Sequence, residues 1–257
     1  MVSMCLVLIL AAAAAWAQEP SSPLAFRQEN NVPSPIQQPK PELSPEMRGD
    51  ILMARKMYRE AVEVYSTAGA NSAVIANKIG IAFHQMMEMD LARRNYERAV
   101  RLDPKYSEAV NNLGTIFYAR KNYRKAVSYY NRALKMKPNS ASIYSNLGTA
   151  QFARKKYKQA LEAYDTALSL DPEVFEHRSS YGTLLLERSV AEKAKFHYYL
   201  AKTYASAGNH ERAIQYIRMA LEEGFKERQK LMEDPEFAKL RETAEFKELM
   251  AVEPRVL

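Results

Sequence analysis

Cysteine is nearly missing from this chain: Cys5 is the only one in 257 residues. With no second thiol there is no intramolecular disulfide and no cysteine-built zinc site to expect. A lipid-anchoring cysteine would follow an apolar run, and Cys5 precedes the run at Leu6–Ala15, so lipoprotein anchoring is not expected either. Histidine is also scarce. His84, His177, His197 and His210 are scattered, and none forms an i, i+4 pair with a carboxylate between, the spacing of a helical zinc site. No glycine-rich loop suited to phosphate is present, and no serine lies in a G-x-S-x-G turn. The chain also lacks any sustained apolar–polar alternation, which removes the strand signal and leaves an all-α protein. No enzyme, no cofactor and no metal are expected.

What the sequence has instead is a period. Gly80, Gly114, Gly148 and Gly182 are evenly spaced along it. Around them recur Asn112-Leu113-Gly114-Thr115, Asn146-Leu147-Gly148-Thr149 and Tyr181-Gly182-Thr183. Ala126, Ala160 and Ala194 follow at one offset, Tyr130, Tyr164 and Tyr198 at another, and Pro104, Pro138 and Pro172 keep the same interval. Leu113, Gly114 and Phe117 share one stripe of a helix, while Ala126, Tyr130 and Ala133 make a small–large–small stripe on the next. Glycine inside a helix costs roughly 1 kcal/mol against alanine. Its recurrence marks a place where a second helix comes too close for a side chain. Proline disfavours helical geometry in the residue before it, so Asp103-Pro104, Lys137-Pro138 and Asp171-Pro172 end the second helix of each unit.

A 34-residue unit with these small and aromatic positions resembles the tetratricopeptide repeat, a helix–turn–helix unit that stacks on its neighbours. The resemblance implies a right-handed superhelical solenoid of antiparallel helix pairs, with about five repeats and short C-terminal capping helices. The expected units are a degenerate first repeat at 42–72 and regular repeats at 73–106, 107–140 and 141–174. An extra helix with a phase break follows at 175–193, then a repeat at 194–227, and capping helices with a tail at 228–257. In the first unit Tyr58, Ala61, Tyr65 and Ala68 match the second helix, but Arg48 stands where leucine is expected. After Pro172 two registers compete, and Leu200-Ala201, Tyr204, Gly208, Ala213, Ile217 and Ala220 fit an offset frame better. A helix near 192–206 that packs backwards as a second helix and forwards as a first reconciles them. Phe237, Leu240, Phe246 and Leu249 are expected to cover the last exposed face.

The segment 1–17 reads as a secretory signal, with small residues in Ala15-Trp16-Ala17 before a cut that leaves Gln18 first. The apolar run is too short for a transmembrane span. Met1 to Cys5 lacks the Lys or Arg that normally opens such a signal. The stretch 18–41 carries six prolines among Ser, Gln and Asn and reads as a disordered linker. An exported protein, periplasmic or secreted, is the expectation.

Charge is concentrated. From Ser107 to Pro172 there are eleven Lys/Arg against four Asp/Glu, an excess equal to the +7 of the whole chain. It centres on Arg120, Lys121, Arg124 and Lys125, and again on Arg154, Lys155, Lys156 and Lys158. Both groups fall at the turn between two helices of a unit, so stacking aligns them into a basic edge. Such an edge suits solvated turns or an anionic envelope component. Export argues against nucleic acid.

In the resembling family, first helices line a concave groove that takes a protein or peptide partner. Carried over by position, that face holds Asn77, Ile81 and His84, then Asn111, Thr115 and Tyr118, then Ser145, Thr149 and Phe152. Asn112 and Asn146 match asparagines that bond a ligand backbone in some members, or that bond between neighbouring repeats. Tyr118 and Phe152 are expected at the groove wall. Lys and Arg are missing where a terminal-carboxylate clamp needs them, with Lys78 the nearest exception. The expected function is an exported scaffold or adaptor that binds another protein or peptide through the concave groove, with a cell-envelope assembly factor docking on an anionic partner through the basic edge as the alternative.

Overall fold

The computed structural model describes residues 43–69, 71–176 and 190–251. The expected signal at 1–17, the linker at 18–41, most of the extra helix at 175–193, Gly182 and His177 all lie outside them. Among the described residues there are twelve α-helices and no strand. They run α1 (Pro45–Ala54), α2 (Tyr58–Ser66), α3 (Ala73–Gln85), α4 (Met89–Leu102), α5 (Ser107–Ala119) and α6 (Tyr123–Met136). Then come α7 (Ala141–Ala153), α8 (Tyr157–Leu170), α9 (Val190–Ser206), α10 (His210–Glu222), α11 (Arg228–Glu233) and α12 (Ala244–Ala251). The first ten pack in sequential pairs, and α2 on α3, α4 on α5, α6 on α7 and α8 on α9 join the pairs into a solenoid. No described helix is long and apolar enough to cross a membrane.

One contact builds every pair from α1/α2 to α7/α8. The glycine of the first helix lies against the face of a tyrosine from the second. A Cβ built on Gly80 would come within 2.6 Å of Tyr96, and one on Gly114 within 2.6 Å of Tyr130. Gly148 against Tyr164 and Gly49 against Tyr65 are tighter still. All four tyrosines are fully buried, so each hydroxyl needs a partner. Tyr65 donates to Asp50 Oδ1 (2.6 Å), Tyr130 to Thr115 Oγ1 (3.4 Å) and Tyr164 to Thr149 Oγ1 (3.4 Å). In the α3/α4 pair the position of those threonines holds Ile81, which offers no acceptor, and the Tyr96 hydroxyl lies 3.4 Å from His84 Nδ1 instead. Gly49 is the part of the first unit that the sequence period conceals, because it precedes Gly80 by fewer positions than the period requires. Arg48 departs from the pattern while Gly49 and Tyr65 keep its central contact.

In the α9/α10 pair the same two positions hold Ala201 and Ile217, both fully buried. A larger residue replaces glycine and a smaller one replaces tyrosine. α9 also reaches back: Phe196 meets Phe152 edge-on at 5.5 Å and Tyr164 at 6.0 Å. At the far end Tyr198 stacks on Phe225 (4.5 Å), and Phe237, Leu240 and Phe246 are buried beside them, with Leu249 partly so. Lys202 lies 3.1 Å from both Asp234 and Glu236 and ties α9 to this C-terminal segment. His197 is buried as a packing residue. His210 is the first residue of α10, whose cap is Asn209.

Candidate binding surfaces

Antiparallel pairing puts the turns within each pair at one end of the helices and the turns between pairs at the other. One surface is the stripe along α3, α5 and α7. Asn77, Asn111, Asn112, Asn146, Thr115 and Thr149 are all buried. Asn112 Nδ2 donates to Asn77 Oδ1 (2.9 Å), and Asn146 Nδ2 donates to Asn111 Oδ1 (3.1 Å). Asn111 Nδ2 reaches Asn112 Oδ1 (3.4 Å), and Asn77 Nδ2 reaches the Tyr106 hydroxyl (3.4 Å). These amides form a ladder between repeats. The threonines accept the tyrosine hydroxyls described above and donate to carbonyls one turn back, Asn111 O (3.3 Å) and Ser145 O (2.9 Å). Burial of amides and hydroxyls is tolerated because they pair with one another. These six residues, expected on the groove face, are engaged in cross-repeat and within-repeat bonding in this structure.

Phe152, expected at the groove wall, is enclosed as well. It is 5% exposed, enclosed by Tyr157 (5.4 Å), Phe196 (5.5 Å) and Tyr199 (5.7 Å). Two of those three rings come from α9, a helix distant from Phe152 in sequence. Tyr118 stays half-buried, tilted against Tyr123 at 5.2 Å. His84 is half-buried too, and burial lowers its pKa below the usual histidine value.

The other surface is the turn edge. Arg120, Lys121, Asn122, Tyr123 and Arg124 from the α5–α6 turn, with Arg154 and Lys156 from the α7–α8 turn, line an open cleft of about 590 Å³. Of the expected basic edge, Arg120, Lys121, Arg124, Arg154 and Lys156 come together here. Lys125 does not line it, lying 4.1 Å above the Phe117 ring. Lys155 and Lys158 are on the same turn and the following helix but outside the lining. Asn122 and Tyr123 also line the cleft, which charge alone does not reveal. The recurrence of Tyr123 as Tyr157 one repeat later is the sequence signal for a shared position there.

Few anions balance this cleft. Arg120 pairs with Asp90 of the preceding repeat (2.5 Å), an exposed bridge of small energetic weight. Arg154 bonds a neutral group, Gln151 Oε1 (3.1 Å). Among the described residues no carboxylate pairs with Lys121, Arg124, Lys155, Lys156 or Lys158.

Two features of the backbone make the arrangement unfavourable on its own. The middle residue of each intra-pair turn has left-handed geometry: Lys56 (φ 61), Met87 (φ 63), Lys121 (φ 59), Lys155 (φ 61) and Gly208 (φ 78). An L-residue there costs about 1–2 kcal/mol, which glycine avoids. The fifth turn uses glycine, the second methionine, and the first, third and fourth lysine. Helix dipoles add to this. α2, α4 and α10 carry an acid in the first turn, as the positive N-terminal dipole favours. α6 and α8 carry none, and place Arg124, Lys125 and Lys158 there. Cations, helix N-termini and open space converge on one cleft suited to an anion.

No group of three or more His, Cys, Asp or Glu among the described residues could hold a metal.

The pairs, their glycine–tyrosine contacts and their stacking define a class, the helical-hairpin repeat scaffolds. Two family models, both described as Tetratricopeptide repeat, match residues 78–141 with 178–225, and 141–174, together more than half of the chain. The protein belongs to the tetratricopeptide-repeat family. Among solved structures it is similar to a crystal structure of MamA, 20% identical, covering 72% of this chain and 96% of that one with a TM-score of 0.47. A second is MamA 41-end from Desulfovibrio magneticus RS-1, 19% identical, covering 69% and 92% with a TM-score of 0.48. No curated protein matches the sequence. Repeats of this family make the chain a protein-interaction scaffold.

Proposed function

We propose that this scaffold acts outside the cytoplasm, without catalysis of its own, and holds an acidic stretch of a partner protein at the turn edge of its third and fourth repeats. The observation that carries the reading is the cleft of five cations, of which Arg120 alone shares a carboxylate, that of Asp90, among the described residues. The acid-free starts of α6 and α8 support it, since cations beside a helix N-terminus are unfavourable unless an anion is bound there. Docking in the concave groove against Tyr118 and His84 is the competing arrangement.

Salt and charge separate the two. A fluorescent peptide with a block of Asp and Glu is expected to bind the purified protein, to weaken steeply with salt, and to be lost in Arg120→Glu/Lys121→Glu/Lys156→Glu. Exposed charges are screened over about 8–10 Å at physiological salt, so an edge interaction responds strongly. Salt-independent binding unaffected by the reversal would move the partner to the groove. For export, N-terminal sequencing of native protein from the cell envelope or medium is expected to begin at Gln18, and an intact Met1 in a cytosolic fraction would overturn it.

A further inference from the structure

The turn edge does not end at the cations. One repeat earlier it becomes apolar, and the two parts are joined. Met87, the left-handed residue of the α3–α4 turn, is 66% exposed, the most exposed large hydrophobic side chain among the described residues. Leu91, in the first turn of α4, is 36% exposed. Asp90 lies between them in sequence, and its carboxylate holds Arg120, the first residue of the basic cleft. Met87 and Leu91 occupy the positions that Lys121 and Lys125 occupy in the next repeat, so apolar side chains of one repeat stand where the next carries cations. Methionine adapts its shape to a ligand at low cost, and it is favoured at surfaces that take varied apolar partners.

We propose that the partner segment is amphipathic in sequence: an acidic block seated over Arg120, Lys121, Arg124, Arg154 and Lys156, with an apolar flank laid on Met87 and Leu91. This rests on the basic-cleft reading above and adds the chemistry and polarity of the ligand. Charge complementarity orients it, because the acidic end is drawn to the α5–α6 and α7–α8 turns and repelled by Glu88 and Asp90 at the other. Packed helices stand about 8–10 Å apart, so the edge from the α3–α4 turn to the α7–α8 turn is on the order of 20 Å. That length suits about 13 residues of helix or about six of extended chain.

Two synthetic peptides of about 16 residues serve as probes. One joins an Asp/Glu block to a Leu/Met block, and the other joins the same acidic block to Ser and Gly. Both are titrated by fluorescence anisotropy against the full protein, Met87→Gln/Leu91→Gln, and Lys121→Glu/Lys156→Glu. Glutamine at 87 keeps the left-handed backbone strained as in the parent, and melting curves confirm that each variant is folded. The apolar flank is expected to tighten binding by about tenfold in the parent. Met87→Gln/Leu91→Gln is expected to erase that gain, and Lys121→Glu/Lys156→Glu to abolish binding of both peptides. Equal binding of the two peptides, still lost on charge reversal, overturns this inference and leaves the basic-cleft reading standing. Binding of neither overturns both. Recruitment to phosphatidylglycerol vesicles that depends on Met87 and Lys121, without peptide binding, overturns the proposal in favour of an anionic membrane.

Discussion

Consider Lys121→Gly and Lys155→Gly made together. Both lysines sit at φ near +60° in turns with the same geometry as Gly208. Relief of left-handed strain is worth about 1–2 kcal/mol at each site. Glycine gives back about 0.5–1 kcal/mol through the greater freedom of the unfolded chain. The pair is therefore expected to stabilise the fold by about 1–2 kcal/mol, which raises Tm by about 3–6 °C for a domain of this size. The same substitutions remove one of the cleft's five cations and a neighbouring one, so the acidic peptide should bind more weakly and with a shallower salt dependence. Calorimetry or circular dichroism reads the first effect and anisotropy the second. The reverse exchange, Gly208→Lys, is a control. A Cβ at Gly208 would meet nothing within 4 Å, so only the backbone is strained and the protein should lose about 1 kcal/mol. If the double glycine variant melts lower, the strain argument fails. If it melts higher and binds the acidic peptide unchanged, lysine at these turns has no part in docking.

Gly114→Ala should destabilise by about 1–3 kcal/mol because its methyl would press into the Tyr130 ring. Adding Tyr130→Ile, as in the Ala201/Ile217 pair, should cost less than the two single changes summed, and additive losses in denaturant melts would argue against a shared contact. Asn112→Ala removes the donor to Asn77 and the acceptor for Asn111. A loss of about 1–3 kcal/mol with unchanged acidic-peptide affinity is expected, whereas weaker peptide binding without loss of stability would return this residue to the groove. His84 is held below the usual histidine pKa by burial. The unfolded chain therefore takes up that proton more readily, and the stability His84 contributes, complete above about pH 6.5, falls as pH drops through its lower native value. An NMR titration of His84 with a midpoint at or above 6.5 would contradict this.

The division between what could be read from the chain and what could not follows from distance along it. Helices, their stops and the glycine–tyrosine stripe were legible because each depends on residues within one repeat, and the period displays them again and again. Even there Gly49 escaped, since a shortened first unit breaks the count while leaving the contact intact. The basic edge was legible as a cluster, because its members are neighbours in sequence.

Three decisions needed the packed structure. The asparagines bond to residues 35 positions away, one repeat along the solenoid. Whether an amide turns to a neighbour or a ligand depends on how closely two repeats pack. Phe152 lies on a helix face that α9 covers through Phe196 and Tyr199. And of eight cations assigned to one edge, five share a cleft, while Lys125 folds over Phe117 and others lie outside it. The repeat, the helix pairs and the sign of the edge are dictated by local spacing along the chain. Tertiary structure decided which polar groups are consumed inside and which charges converge, because both depend on side chains meeting across repeats.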